Sequence, residues 1–213
     1  MAASPNFDTA FRSRLHDLLA WRRDVRRFRP DPLPAGTIER LIGLACLAPS
    51  VGLSQPWRFV LVDQPVRRAA VRDNFLRSNA AALAAQAPER ARRYARLKLA
   101  GLDEAPCHLA VLADPATRQG HGLGRLTMPE TIDYSAVMAA HTLWLTARAE
   151  RIGMGWISIL DAAAVAVALD LPAEWRLIGY FCLGYPQDTD AVPALERARW
   201  ERRRPPEEFL VRR

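Results

Sequence analysis

Lysine is almost missing from this chain. Of 30 basic residues only Lys98 is a lysine, and the formal net charge is +7. Arginine therefore carries the positive charge, and two readings stand side by side: a codon bias spread along the chain, or attraction of an anionic ligand. The basic residues are interleaved with acids and no nucleic-acid module is present, so no nucleic-acid partner is expected. Cysteine is scarce too. Cys46, Cys107 and Cys182 are far apart, form no CxxC and lack zinc-ligand spacing, which excludes a disulfide framework and leaves buried free thiols. His16, His108, His121 and His141 are equally scattered, and no metal site is expected. No apolar run approaches the ~20 residues that span a bilayer. No charged segment followed by an apolar one opens the chain. A cytoplasmic location without a signal peptide or membrane partner is the expectation.

What is present is a large apolar fraction, 50% of 213 residues. That suits one domain over residues 1–213, with a core at about 12–186 and a polar, arginine-rich C-terminal arm at about 187–213. Phe11, Leu15, Leu18, Leu19 and Trp21 line one side of a predicted helix over 8–22. A proline cluster at 30–34 breaks the chain, and a second helix over 35–48 stops at Pro49. Further helices are predicted over 65–86, from Pro88 to about Leu99, over 131–152, and from an Asp161 cap to Leu169. Short apolar runs predict strands at 59–62, 108–113, 156–160 and 177–184. This order is not a regular βαβ alternation, and it favours an α+β sandwich. The helix over 131–152 is apolar enough that burial at a dimer interface is expected.

Three segments could carry chemistry. Arg22-Arg23-Asp24-Val25-Arg26 places three guanidinium groups around one carboxylate after a helix end. It reads either as a self-neutralising surface cluster or as an anion clamp with forked donors. Pro49 to Trp57 runs from a helix end through small residues into a strand. Ser50 and Gln55 could present polar atoms to a flat ligand there, and Gly52 would permit close backbone approach. Gly153-Met154-Gly155-Trp156-Ile157-Ser158 offers a helix cap at Gly153, an unexplained Gly155 and a buried-looking Ser158. The loop with Gly120, Gly122 and Gly124 has the wrong spacing for a dinucleotide fingerprint and reads as a lid or mobile loop. His141 reads as a core histidine and Lys98 as a surface lysine with a snorkelling stem.

Taken together, Arg22–Arg26 and Pro-Ser-Val-Gly-x-x-Gln-Pro-Trp at 49–57 resemble the flavin-binding nitroreductase-like superfamily, and most closely its BluB group of 5,6-dimethylbenzimidazole synthases. Tyr94 to Gly101, Gly124-Arg125 with Pro129, Tyr134-Ser135, Gly155 to Ser158, Leu183-Gly184-Tyr185 and Trp200-x-Arg202 fit the same group. Leu53 stands where ordinary nitroreductases usually carry Asn. The resemblance implies a dimeric α/β/α sandwich with a central, mostly antiparallel sheet and a C-terminal extension. It implies that reduced FMN is the substrate, cleaved with O₂ to 5,6-dimethylbenzimidazole and erythrose 4-phosphate, for the lower ligand of cobalamin. A separate NAD(P)H-flavin reductase would supply the reduced FMN, and no metal is implied.

Arg22, Arg23 and Arg26 would clamp the phosphate and the pyrimidine edge. Asp24 and Ser158 would be the catalytic pair, and Val25, Ser50, Gln55, Ser78, Leu99 and Gly155 would complete the flavin site. An apolar lid over 75–100 would exclude water. The alternative is an NAD(P)H-dependent, FMN-containing nitroreductase-type oxidoreductase.

Overall fold

The computed structural model describes residues 5–188 and 190–213. Four strands form one sheet: β1 (Trp57–Leu61), β2 (Cys107–Ala113), β3 (Gly153–Ile157) and β4 (Arg176–Gly184), in the order β1-β2-β4-β3. All three pairings are antiparallel. A parallel bridge from Asp24 to Met154 extends the β3 edge.

Side chains alternate across a strand, so one run serves two cores. Ala110, Leu112, Tyr180 and Cys182 face a layer containing Val71 and Phe75 of α3 (Pro65–Ala84) and Val165 of α6 (Ala162–Ala168). Leu109, Val111, Phe181 and Leu183 face Leu41 of α2 (Thr37–Ala45) and Leu143 and Ala147 of α5 (Thr131–Ala149). The result is the expected α+β sandwich. Asp8 caps α1 (Thr9–Trp21), its Oδ1 accepting from Phe11 N at 2.7 Å. Asp161 caps α6 as expected, accepting from Ala164 N at 3.1 Å. Among the described residues no helix is long and apolar enough to cross a membrane.

Several boundaries differ from expectation. α4 (Pro88–Tyr94) stops well before Leu99. Tyr94 is buried there, its hydroxyl donating to Asn79 Oδ1 at 2.8 Å, and the chain after it leaves the helix. β3 lies three residues earlier than expected. α5 ends in a left-handed residue, Arg151 at φ 63°, and Ile152 N bonds back to Ala147 O at 2.9 Å. That closing turn does the work assigned to a Gly153 cap, so Gly153 opens the strand instead. α1 buries none of its residues, leaving Phe11, Leu15 and Leu19 exposed. α5 buries Ala136, Ala139, Ala140 and Leu143 while exposing Tyr134 and Met138. The polar C-terminal arm contains α7 (Ala194–Arg197) and one short helical turn, Pro206–Phe209.

Candidate active site

The Arg22–Arg26 segment lies along the free edge of β3. Val25 N donates to Met154 O at 3.1 Å, and Trp156 N donates to Asp24 Oδ1 at 2.8 Å. Asp24 Oδ2 accepts from Arg26 Nε at 2.7 Å, and Arg26 Nη1 also donates to Lys98 O at 3.1 Å. Asp24 thus ties Arg26 to the backbone of the sheet. Gly155 makes this close docking possible, because a Cβ at that position would overlap the Val25 carbonyl. The side of Gly155 on which a Cβ would stand is filled by the Val25 carbonyl.

Farther along, Phe28 is fully buried and bridges to Pro186, while Gln187 Nε2 donates to Phe28 O at 2.8 Å. The segment is therefore pinned on both sides of its cations. Lys98 is half-buried rather than a free surface lysine. It pairs with Glu104 at 2.8 Å, and Glu104 also accepts from Phe28 N at 3.4 Å. Burial raises the Glu104 pKa, but Lys98 and the Phe28 N–H outweigh it and lower the net value.

Cations outnumber partners around this edge. The Arg22 guanidinium stands 4.8 Å from the Trp144 ring centroid. Arg23 Nη1 reaches the Ala20 and Arg22 carbonyls, while its Nε is buried without a hydrogen-bond partner among the described residues. Burial lowers the Arg22 pKa; Asp24 opposes the fall and Arg203 adds to it. Burial lowers the Arg23 pKa, and the charges of Arg203 and Arg22 lower it further. Three guanidinium groups thus repel one another where the C-terminal arm folds back.

Two cavities flank that arm. One of about 440 Å³ is lined in part by Arg23, Asp24, Arg26, Arg96, Lys98 and Arg197. The other, of about 140 Å³, is lined in part by Arg22, Arg23, Asp24, Arg26, Leu195 and Arg203. Arg203 was missed from sequence because the arm shows no periodicity; its neighbours Trp200 and Arg202 were the nearest signal.

The remaining expected residues divide. Ser158 is exposed just beyond β3, contrary to the buried position expected, because the strand ends at Ile157. It has no side-chain hydrogen bond among the described residues, so its hydroxyl is available. Ser78 and Leu99 stand near one another's elements but not at the clamp. Ser78 Oγ donates to Asn74 Oδ1 at 3.3 Å, and buried Asn74 joins α3 to Asp161 through two 2.9 Å bonds. Leu99 lines a cavity of about 180 Å³ with Phe75, Leu76, Asn79 and Lys98.

Ser50 and Gln55 line neither cavity over the clamp. Ser50 Oγ accepts from Gln55 N at 3.1 Å, and Gln55 Oε1 accepts from Gln119 Nε2 at 2.9 Å. Val51 N donates to Ser135 Oγ at 3.0 Å, anchoring this loop to the start of α5. Trp144, which carries Arg22, lies two to three turns farther along the same helix, about 14 Å away along its axis. Gly52 sits at φ 57°, and a Cβ there would press on Leu123 O. The close approach it permits is therefore to the 120–124 loop.

These features have counterparts in known proteins. Residues 19–185 match the model of the nitroreductase family. A 5,6-dimethylbenzimidazole synthase from Rhodospirillum rubrum is 57% identical over 96% of this chain and 97% of its own length. Another so named, from Rhodobacter capsulatus, is 48% identical over 95% of this chain and 98% of its own. Among solved structures, iodotyrosine deiodinase bound to FMN and 3-iodo-L-tyrosine superimposes with a TM-score of 0.69 at 25% identity. That match covers 82% of this chain and 90% of the deiodinase chain. An excess of guanidinium donors at the β3 edge, on this fold, with relatives this similar, leads to one conclusion: the chain belongs to the nitroreductase family, within its group of 5,6-dimethylbenzimidazole synthases.

Proposed function

We propose that this chain is a 5,6-dimethylbenzimidazole synthase that uses O₂ to fragment reduced FMN into 5,6-dimethylbenzimidazole and erythrose 4-phosphate. The observation that carries the proposal is the 57% identity, across nearly the whole chain, to a protein of that name. The residues at the β3 edge fit FMN. Arg22, Arg23 and Arg203 repel one another, and Arg23 Nε is buried without a partner among the described residues. A phosphate dianion would supply the missing acceptors and relieve that repulsion.

In this reading Arg22, Arg23 and Arg203 hold the phosphate, and Arg26 is aimed by Asp24. When bound, the reduced flavin supplies the electrons that react with O₂. Asp24 accepts a proton at Oδ2, the oxygen it shares with Arg26, and Ser158 offers its free hydroxyl to the ring. The apolar wall of Phe75, Leu76, Leu97 and Leu99 limits water.

Ser50 and Gln55 line neither cavity over the clamp, and their loop is anchored two to three helical turns from Trp144 along α5. The reading therefore includes a homodimer of single-domain chains, in which the loop of one protomer meets the flavin of its partner. The unburied face of α1, with Phe11, Leu15 and Leu19, offers apolar surface for that association. A separate NAD(P)H-flavin reductase supplies reduced FMN.

The test combines the protein with FMN, such a reductase, NADH and air, and reads products by mass spectrometry. Stoichiometric conversion of FMN to 5,6-dimethylbenzimidazole is expected. Intact flavin would overturn the proposal, and NADH oxidation without the added reductase would instead identify a nitroreductase-type enzyme.

A further inference from the structure

A second cationic cavity stands apart from the flavin clamp. It has a volume of about 710 Å³ and includes Trp21, Arg29, Arg148, Arg151 and Tyr185 in its wall. It shares no lining residue with the two cavities over Arg22–Arg26.

Arg148 is the unusual member. It lies in the last turn of α5 and is only 2% exposed. Its guanidinium carbon sits 3.3 Å from the Trp21 ring centroid. Its Nε and Nη1 are buried without a hydrogen-bond partner among the described residues. The one acid in the cavity wall, Glu150, is already engaged by both terminal nitrogens of Arg40. Arg29 pairs with exposed Asp31 at 3.2 Å and lies over Tyr185. Arg151 makes no ion pair among the described residues. Burial, and then the charge of Arg23, lower the Arg148 pKa. A buried cation without a counter-charge is strongly unfavourable, whereas a paired and hydrogen-bonded one is tolerated.

We infer that this cavity is a second anion site, which takes the phosphate group of a small phosphate ester on the guanidinium of Arg148. A guanidinium offers parallel donors to two oxygens of one phosphate. Trp21 beneath Arg148 fixes the plane of that fork, and the charges of Arg29 and Arg151 suit a dianion better than a single carboxylate. The cavity volume leaves room for the organic part of the ester.

Inorganic phosphate is the probe. Equilibrium dialysis with radiolabelled phosphate would compare the full chain with R148Q, R151Q and R203Q. The expected result is one equivalent lost in R148Q and bound about tenfold more weakly in R151Q, while R203Q keeps that equivalent and weakens only phosphate held at the clamp. The R203Q arm tests the flavin clamp separately, so failure of either site is read without the other. If R148Q does not fold, R151Q and R29Q decide, since both residues are exposed. Phosphate binding insensitive to all three cavity variants would overturn the inference. So would a change in sedimentation of R148Q with phosphate stoichiometry preserved, because a side chain from a second copy would then be what fills the cavity.

Discussion

The interior of the sheet and the outer edge of β3 treat polar groups in opposite ways. Inside, His108 and Tyr180 are fully enclosed on adjacent strands and satisfy each other, with Nδ1 and Oη 3.0 Å apart. Burial pushes the His108 pKa down to about 4, with Arg68 adding to the fall, and burial pushes the Tyr180 hydroxyl up. Both groups stay neutral, and each is the other's hydrogen-bond partner. At the β3 edge one carboxylate, Asp24, serves a backbone N–H and Arg26, while Arg22, Arg23 and Arg203 remain mutually repulsive. The His108–Tyr180 pair is matched within the sheet; the β3 edge keeps donors in excess. That excess, more than the count of arginines, distinguishes a binding surface from a charged one.

The contrast can be broken at either end. The largest effect is expected from Asp24→Asn. The amide would still accept from Trp156 N but would turn a donor toward Arg26 Nε, releasing it and removing the proton acceptor. Formation of 5,6-dimethylbenzimidazole under single-turnover conditions should fall about 100-fold or more. A loss below about threefold would remove Asp24 from the chemistry.

In the interior, His108 makes stability depend on pH. Its pKa falls from 6.5 to about 4 on folding, so between those values the unfolded chain binds the extra proton. Stability is therefore complete above pH 6.5 and declines as pH drops toward 4, by up to about 3 kcal/mol. Urea unfolding across that range should show the decline, and His108→Gln should flatten it. An equally steep decline in the variant would assign the effect elsewhere.

Gly155→Ala attacks the join between the two regions. The added methyl meets the Val25 carbonyl, so the edge segment must move off β3 at a cost of about 2 kcal/mol. The urea midpoint reads the loss, and FMN affinity should fall with it. A variant as stable as the parent would mean that the segment docks less closely.

The smallest effect is expected from Arg203→Gln. It should weaken FMN about tenfold, as measured by flavin fluorescence, while leaving the unfolding midpoint nearly unchanged. Unaltered affinity would separate the C-terminal arm from the clamp.

Much of the frame was legible locally. The continuous apolar runs His108–Ala113 and Leu177–Gly184 marked central strands, because each face meets its own helical layer. Asp161 was legible as a cap because its side chain has only to reach its own helix. Gly153 was misread because Arg151, a non-glycine, takes the left-handed turn that ends α5. Ser158 was expected to be buried because the strand was placed three residues too late. Lys98 read as a surface lysine because Glu104 reaches it only after the chain folds back from α4. Arg22, Arg23, Asp24 and Arg26 were legible as a cluster, but whether it was a clamp depended on what met it.

Local spacing of apolar, capping and turn residues thus determined the helices, the strands and their two-faced packing, since these rest on contacts a few residues apart or on short runs apolar on both faces. Tertiary structure alone decided that Gly155 receives the Val25 carbonyl, that Arg203 returns to Arg22 and Arg23, and that Arg148 is enclosed beside Trp21. Each of those meetings joins residues far apart in the chain, and no local pattern encodes the path of the segments between them.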